Sequence, residues 1–240
     1  MATYNNAKNI LVGASPLFLS AKDSTTSGYT ENMEPGASTG DAFVSGTSYT
    51  ATLNASTKFR NVGYTNNGLQ ITYNPTYGSV TVDQLLDTAK LFKESMEVMI
   101  ATEMTEGTLE NVLAVFGQSG TNDYDGAITA SKTLTTESGY TTGTADAKKT
   151  LGLAAGALGV APTERQLIAV GQSPSTTDGS NSKSTERIYY ARRVLSVQQS
   201  QFSLARNNPT TFPVTFRLLP DGNTAYAGQE YGKIIDRILA

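Results

Sequence analysis

The stretch Lys90–Gly117, KLFKESMEVMIATEMTEGTLENVLAVFG, limits the possible folds most, because its apolar period changes within one run. Phe92, Met96, Val98, Ile100 and Met104 share one parity, with Glu94 the exception, while Lys93, Ser95, Glu97 and Glu103 share the other. Alternation of this kind describes a strand with one buried and one polar face. Past Met104 the spacing turns helical, with Leu109, Val112, Leu113 and Phe116 on one stripe. Thr108 is placed to cap the first turn, Glu110 suits the positive end of the helix, and Gly117 is placed to end it in the left-handed conformation. A long strand feeding the one convincing helix of a strand-patterned chain predicts a mainly β protein whose helix covers a sheet edge or face.

The remaining pattern extends this reading. Asn9–Ala21 reads as a buried strand bent at Pro16. Its apolar run Ile10–Leu19 has the outline of a signal peptide, but Gly13 and Pro16 interrupt it and Lys8 is the one basic side chain before it, so a strand is expected. Lys58–Thr65 and Leu69–Tyr77 predict a hairpin across Asn66-Asn67-Gly68, residue types that supply positive φ. In its second arm Leu69, Ile71, Tyr73 and Tyr77 point one way and Gln70, Thr72, Asn74 and Thr76 the other, with Val80 and Val82 continuing the pattern. Leu151–Val160 fits helix or strand, although its glycines argue against a stable helix. Glu164–Gly171 reads as strand, and Arg187–Ala205 as a long strand bulged near Ser196–Ser200. Phe212, Val214, Phe216 and Leu218 alternate cleanly with Pro213, Thr215, Arg217 and Leu219, and Tyr231–Leu239 gives a last short strand or helix. Polar tracts at about 22–56, 118–150 and 172–185 read as long loop insertions on a single domain spanning 1–240, the first with a weak hairpin around Phe43–Leu53.

Composition narrows the chemistry. The chain has no His and no Cys, which removes the Ser–His triad, thiolate metal sites and disulfides. A net charge of −3 argues against diffuse nucleic-acid binding through a basic surface. Glu94 and Glu97 fall on opposite strand faces and do not flank one bond; Glu103, Glu106 and Glu110 gather at the strand–helix junction, where solvated charges and helix-dipole partners are the simpler reading. Asn122-Asp-Tyr-Asp-Gly126 has the flavour of a calcium loop but lacks the regular alternate ligands and the distal Glu, so it reads as an Asx-rich turn. Gly152, Gly156 and Gly159 are not followed by the Lys-Ser or Lys-Thr of a phosphate loop. Arg187, Arg192 and Arg193 with Tyr189 and Tyr190 suit an interfacial patch better than a base-stacking platform. No catalytic residue, cofactor or metal is expected.

Two blocks carry a family resemblance. The first runs from Arg60 to Gly117, with NVGYTNNGLQITYNP, a long strand ending EVMIATEMTE, and the helix GTLENVLAVFG. The second is FPVTFRLLPD, Phe212–Asp221, followed by QEYGKIID, Gln229–Asp236. In their order, a VGY…G hairpin, a long strand, an E-x-T-x-E-N helix and a late LLPD hairpin, these blocks resemble the tail tube (major tail) proteins of tailed bacteriophages. The resemblance covers somewhat under half of the chain.

The resemblance implies a two-sheet antiparallel β-sandwich with one flanking α-helix and long loops. Six copies would form a ring whose inner sheets join into one barrel, and rings would stack into a hollow tube that conducts DNA into the host. The implied partners are further copies of the chain, the tape measure protein and then DNA in the lumen, terminator and baseplate or tip proteins, and a sheath protein if the tail contracts. The implied place is the virion tail, after synthesis in the bacterial cytoplasm, with no membrane anchor. A conduit must not grip its cargo, so its wall should be neutral or acidic. Candidate wall residues are Gln70, Thr72, Asn74, Thr76, Lys93, Ser95, Glu97, Thr215 and Arg217. Candidate inter-subunit residues are Tyr29, Phe43, Tyr49, Glu110, Tyr189, Arg192 and Arg193. The tract 22–56 is expected to reach a neighbouring ring, so that deleting Asp23–Leu53 would leave a folded monomer unable to form tubes. The competing class is a secreted β-sandwich adhesin or carbohydrate-binding module; a carboxylate-pair hydrolase fits the composition least.

Overall fold

The computed structural model describes residues 15–20, 34–35, 43–56, 59–84, 87–118, 134–136, 148–153, 158, 163–173, 185–197, 200–204, 206–207 and 209–239. Most of the three polar tracts, Tyr29, the Asn122–Gly126 turn, Gly156, Gly159 and the first part of the Asn9–Ala21 strand lie outside these residues.

Within them the chain is mainly β. In order it forms β1 (Leu17–Ser20), α1 (Tyr49–Ala55), β2 (Phe59–Asn61), β3 (Thr65–Thr81), β4 (Thr88–Met104), α2 (Leu109–Val115), β5 (Leu134–Thr136), β6 (Lys149–Leu151), β7 (Arg165–Gln172), β8 (Thr185–Ser196), β9 (Phe212–Leu218) and β10 (Gly232–Ile238), with a single 3-10 turn at Thr224–Tyr226. An eight-stranded antiparallel sheet has the order β2-β1-β7-β8-β9-β4-β3, with β10 also on β8; β5 and β6 pair apart from it. The expected strands at Glu164–Gly171, Phe212–Leu218 and Tyr231–Leu239 are present as β7, β9 and β10.

The sheet divides at β8. Its residues 185–191 pair with β10, while 194–196 pair with β9, so the two strands lie end to end along one side of β8. Between those stretches Arg165 faces Val194 but Leu167 faces Ala191, which leaves one extra residue on β8 at Arg192–Arg193. This bulge flips the parity, so Val194 joins Ala191 on one face. The bulge expected at Ser196–Ser200 is therefore displaced toward the N-terminus, and the strand ends at Ser196 instead of reaching Ala205.

Two apolar clusters hold the sheet. Leu17, Leu19, Leu167, Ala169, Ala191 and Val194 pack with Val98, Ile100 and Met104 of β4, with Phe212, Val214, Phe216 and Leu218 of β9, and with Ala114 and Val115 of α2. On the opposite face of β1, β7 and β8, Phe18, Ile168, Val170, Ile188 and Tyr190 pack with Phe59 and with Tyr49 and Leu53 of α1. α1 occupies the place of the expected hairpin around Phe43–Leu53. The hydroxyl of Ser48 accepts from the Ala51 amide, and Tyr49 and Leu53, one turn apart, bury one stripe completely.

α2 forms where the period change places it. Thr108 caps it by accepting from the Asn111 amide. Gly117 sits at φ 65°, and the Gly117 and Gln118 amides close back onto Ala114 and Leu113 in a Schellman arrangement. The buried stripe is rotated from the expected one: Asn111, Leu113, Ala114 and Val115 face inward, and Phe116 is exposed, stacking on Phe202.

The expected hairpin across Asn66-Asn67-Gly68 does not form. β2 pairs with β1, and β3 pairs with β4 along most of its length. Asn67 and Gly68 do adopt positive φ, 60° and 66°, but within a bulge where β3 carries two residues more than β4 between Asn66 and Gln70. The Glu103 carboxylate accepts from the Asn66 and Asn67 side chains and holds this bulge.

Candidate functional site

β3 and β4 are each 17 residues long, far longer than β9 beside them. β9 covers β4 only from Met99 to Met104, whereas β3 and β4 stay paired out to Thr81 and Thr88. The outer part, residues 73–81 and 88–98, is thus a two-stranded arm. In β4 only Val98, Ile100, Thr102 and Met104 are buried. Phe92, expected in the core, is exposed, because the register slips between Thr76–Ser95 and Tyr77–Lys93 and leaves Glu94 as an extra residue. The parity exception noted at Glu94 is this bulge.

Cross-strand partners share a sheet face, so the pairings sort the candidate wall residues. Gln70 faces Ala101 and then Thr215; Thr72 faces Met99 and then Arg217; Asn74 faces Glu97, and Thr76 faces Ser95. These form one continuous polar face over β3, β4 and β9. Lys93 is separated from it: past the Glu94 bulge it lies on the other face, its ammonium 5.6 Å from the Tyr73 ring centroid and 3.4 Å from the Tyr73 hydroxyl. Lys93 therefore does not share a face with the other candidates. On this face Arg217 lies 3.6 Å from Glu97, Glu103 shares the Glu97 parity, and Lys90 comes onto it beyond the bulge, so acids and bases offset one another, while toward the tip Phe92, over Gly78, and Val80 also lie on it.

The opposite face of the arm is apolar at its base, where Ile71, Tyr73 and Pro75 of β3 lie beside Ile100, Val98 and Met96 of β4, and mixed toward its tip, where Tyr77 faces Lys93 and Ser79 faces Leu91. Near the sheet these side chains line a cleft of about 420 Å³, whose other wall includes Tyr189, Tyr231 and Ile234. Toward the tip they are open to solvent, with Tyr73 65%, Tyr77 59% and Leu91 64% exposed.

The expected inter-subunit residues are mostly engaged within the chain. Tyr49 is fully buried, and its amide donates to the Glu186 carboxylate, which also accepts from Arg237. Phe43 packs edge-on to Tyr49 and under the Arg237 guanidinium. Glu110 is buried and paired with Lys149. Arg193 pairs with Glu164 at 2.7 Å. Arg192 is 1% exposed, donates to both oxygens of Glu34 at 3.0 and 3.1 Å, and stacks 3.4 Å from the Tyr226 ring centroid. Glu34 also pairs with Lys233 at 2.5 Å. Burial opposes ionisation of Glu34, but the hydrogen bonds and charges of Arg192 and Lys233 outweigh it and hold its carboxyl below its ordinary pKa. Tyr189 alone among the described candidates lines the cleft.

Residues 43–56 are thus bound to the chain's own sheet, and Glu34 pins an earlier point to β8. Deleting Asp23–Leu53 would take Tyr49 and Leu53 out of a buried cluster, so the expectation of a folded deletion variant is withdrawn. The sequence reading missed the arm as a separate unit and Asn111 as a clamp. The Asn111 amide donates to the Val62 and Glu106 carbonyls at 2.8 and 2.9 Å and accepts from Arg60 at 2.6 Å. The length of two alternating runs was the available sign of the arm; the clamp had none, because Asn111 falls opposite the stripe that Leu109, Val112, Leu113 and Phe116 define.

Among the described residues no helix is long and apolar enough to cross a membrane. No protein-family model matches the chain, and a search of curated proteins finds no match.

Proposed function

We infer that the chain is a structural subunit of a tube, resembling the tail tube proteins of tailed bacteriophages, in which six copies form a ring and rings stack around a DNA channel. The observation that carries this reading is the arm: a long ribbon whose base has one polar, charge-balanced face and one apolar face and whose tip is mixed on both, extending past the strands that cover its base. A ribbon of this kind is poorly suited to remain alone in water. Joined to its neighbours it would present Gln70, Thr72, Asn74, Thr76, Ser95, Glu97, Thr215 and Arg217 as one wall. The Glu97–Arg217 pair supports a wall that neither holds phosphate nor strongly repels it.

Two further features support the architecture. The cluster joining β1, β7 and β8 to β4 and β9 suits two packed layers, the sandwich that the resemblance implies. Ring closure would remove exposed strand edges, which otherwise invite uncontrolled pairing. On this reading the chain is not an enzyme. Its partners are its own copies, a tape measure protein and then DNA in the lumen, terminator and baseplate or tip proteins, and a sheath in a contractile tail; its place is the virion tail.

Negative-stain electron microscopy of the purified chain tests the proposal. Hollow tubes or six-fold rings are the expected outcome. A chain that stays dispersed and binds a glycan array would overturn it in favour of a carbohydrate-binding module.

A further inference from the structure

We propose that the polar cavity beside the β3 bulge binds the guanidinium of an arginine carried by a partner protein, which lies along the polar face of β3, β4 and β9. The cavity does not depend on assembly; only the placing of that partner inside a channel rests on the tube reading.

The bulge makes the cavity. Because β3 carries two residues more than β4 between Asn66 and Gln70, the ladder opens there, and a cavity of about 150 Å³ lies against β4 and β9. Glu103 lines it, together with the carboxamide residues Asn67 and Gln70 and the hydroxyl residues Ser200 and Thr215. Each Glu103 oxygen accepts one carboxamide N–H, from Asn67 at 2.7 Å and from Asn66 at 3.3 Å, which holds the carboxylate in place. An ionised carboxylate offers about four acceptor positions, so half of its capacity stays unused.

Charge shows what would complete the site. Glu97, Glu110, Glu164 and Glu186 each pair with a Lys or Arg of the chain. Glu103, half-buried, has no cationic partner among the described residues, and no Lys or Arg lines its cavity. A phosphate or carboxylate would be repelled there. A neutral sugar would bond the hydroxyls and carboxamides but leave the carboxylate without a counter-charge. Calcium asks for about six to eight oxygens, several of them from carboxylates, and the described residues hold no group of three or more acidic side chains fit for a metal. An ammonium supplies the charge and three donors. A guanidinium supplies the charge and five donors in a planar fork, is less strongly hydrated, and brings an apolar stem that Ala101 and Pro213 of the same cavity can cover. The stem leads outward, so the chain that carries it runs over the polar face. In a tube each copy would repeat the site. A channel-filling protein with spaced arginines would then be held at many weak points, whereas DNA phosphate would not.

N-acetyl-arginine amide, titrated into the isotopically labelled full chain, tests the site, with N-acetyl-citrulline amide as the neutral isostere. The side-chain amide NMR signals of Asn66, Asn67 and Gln70 should shift and saturate at roughly millimolar arginine compound, and stay in place with citrulline. Glu103→Gln should weaken the binding at least about tenfold. Because Glu103 also holds the bulge, Gln70→Lys is the second variant. From an exposed position it offers the cavity an ammonium of the chain itself, so it should weaken binding at least about tenfold without lowering the melting temperature. Equal shifts with citrulline, shifts spread over the surface without saturation, or full binding by both variants would overturn the proposal. Calcium chloride that moves these signals where the arginine compound does not would also overturn it, in favour of a metal site. Saturable binding by a chain that forms no rings supports the cavity and overturns the tube. Tubes built from a chain that does not bind overturn the cavity and leave the tube reading standing.

Discussion

At the scale of single residues, two polar side chains and one glycine hold parts of the fold that apolar packing leaves undecided. Asn111 uses its whole carboxamide, two donors on backbone carbonyls and one acceptor for Arg60, to tie α2 to the strand entry at Val62. Asn111→Asp would point carboxylate oxygens at those carbonyls. It should cost about 2 kcal/mol in a denaturant titration even though Arg60 gains a charged partner; an unchanged midpoint would show that the clamp is idle. Glu34 ties a distant segment to Arg192 and Lys233. Its folded pKa lies below the ordinary 4.5, so the stability it supplies is complete above that value and is lost as pH falls through the folded pKa. Wild type should therefore lose more melting temperature than Glu34→Gln on going from about pH 5 to pH 3, and the two should converge at the acid end. Parallel pH profiles would exclude the linkage. Gly63 is the third constraint: it adopts φ 83° against the Glu106 side chain, where an added Cβ would overlap the carboxylate that accepts the Tyr64 amide.

At the scale of elements, α1 and the arm make opposite predictions. Leu53 is fully buried against Phe18, Ile168 and their neighbours, so Leu53→Ala should cost about 3 kcal/mol. Tyr77→Ser on the arm should change monomer stability by less than about 0.5 kcal/mol, because its side chain is 59% exposed. Thermal melts of the two variants check both. The same contrast explains what the amino-acid pattern revealed. β7, β9 and the β4–α2 junction were legible because their alternation or spacing is set by burial on one defined face. The Asn66-Asn67-Gly68 turn was misplaced because positive φ serves a bulge as well as a hairpin, and only the partner strand distinguishes them. α1 was hidden because a seven-residue helix buries only Tyr49 and Leu53, too short a stripe to stand out in a Thr-rich tract. The face shared by Gln70, Thr72, Asn74, Thr76, Ser95, Glu97, Thr215 and Arg217 was legible as one parity, but Lys93 was misplaced, because one extra residue, Glu94, turns the side chains next beyond it to the other face.

At the scale of the whole molecule, on the proposed tube reading, the two faces of the arm would divide two tasks that one surface would perform poorly. The apolar face suits contact between copies, and the polar face suits a wall past which a polyanion slides. Wall charge is then the quantity that function should sense. Glu97 is partly exposed and pairs with Arg217 on the polar face, so Glu97→Lys removes one acid and adds one base without disturbing a buried group. Tubes should still assemble. Their lumen should acquire a basic ring at each stacked level, and a basic wall binds DNA by releasing its counterions. Co-sedimentation of DNA with the variant tubes should therefore rise at low salt and fall steeply as salt is raised, while wild-type tubes retain little DNA at either condition. In particles carrying the variant, DNA release should slow under the same low-salt conditions. A Glu97→Lys tube that assembles yet shows no gain in salt-sensitive DNA binding would place the polar face of β3, β4 and β9 away from the channel.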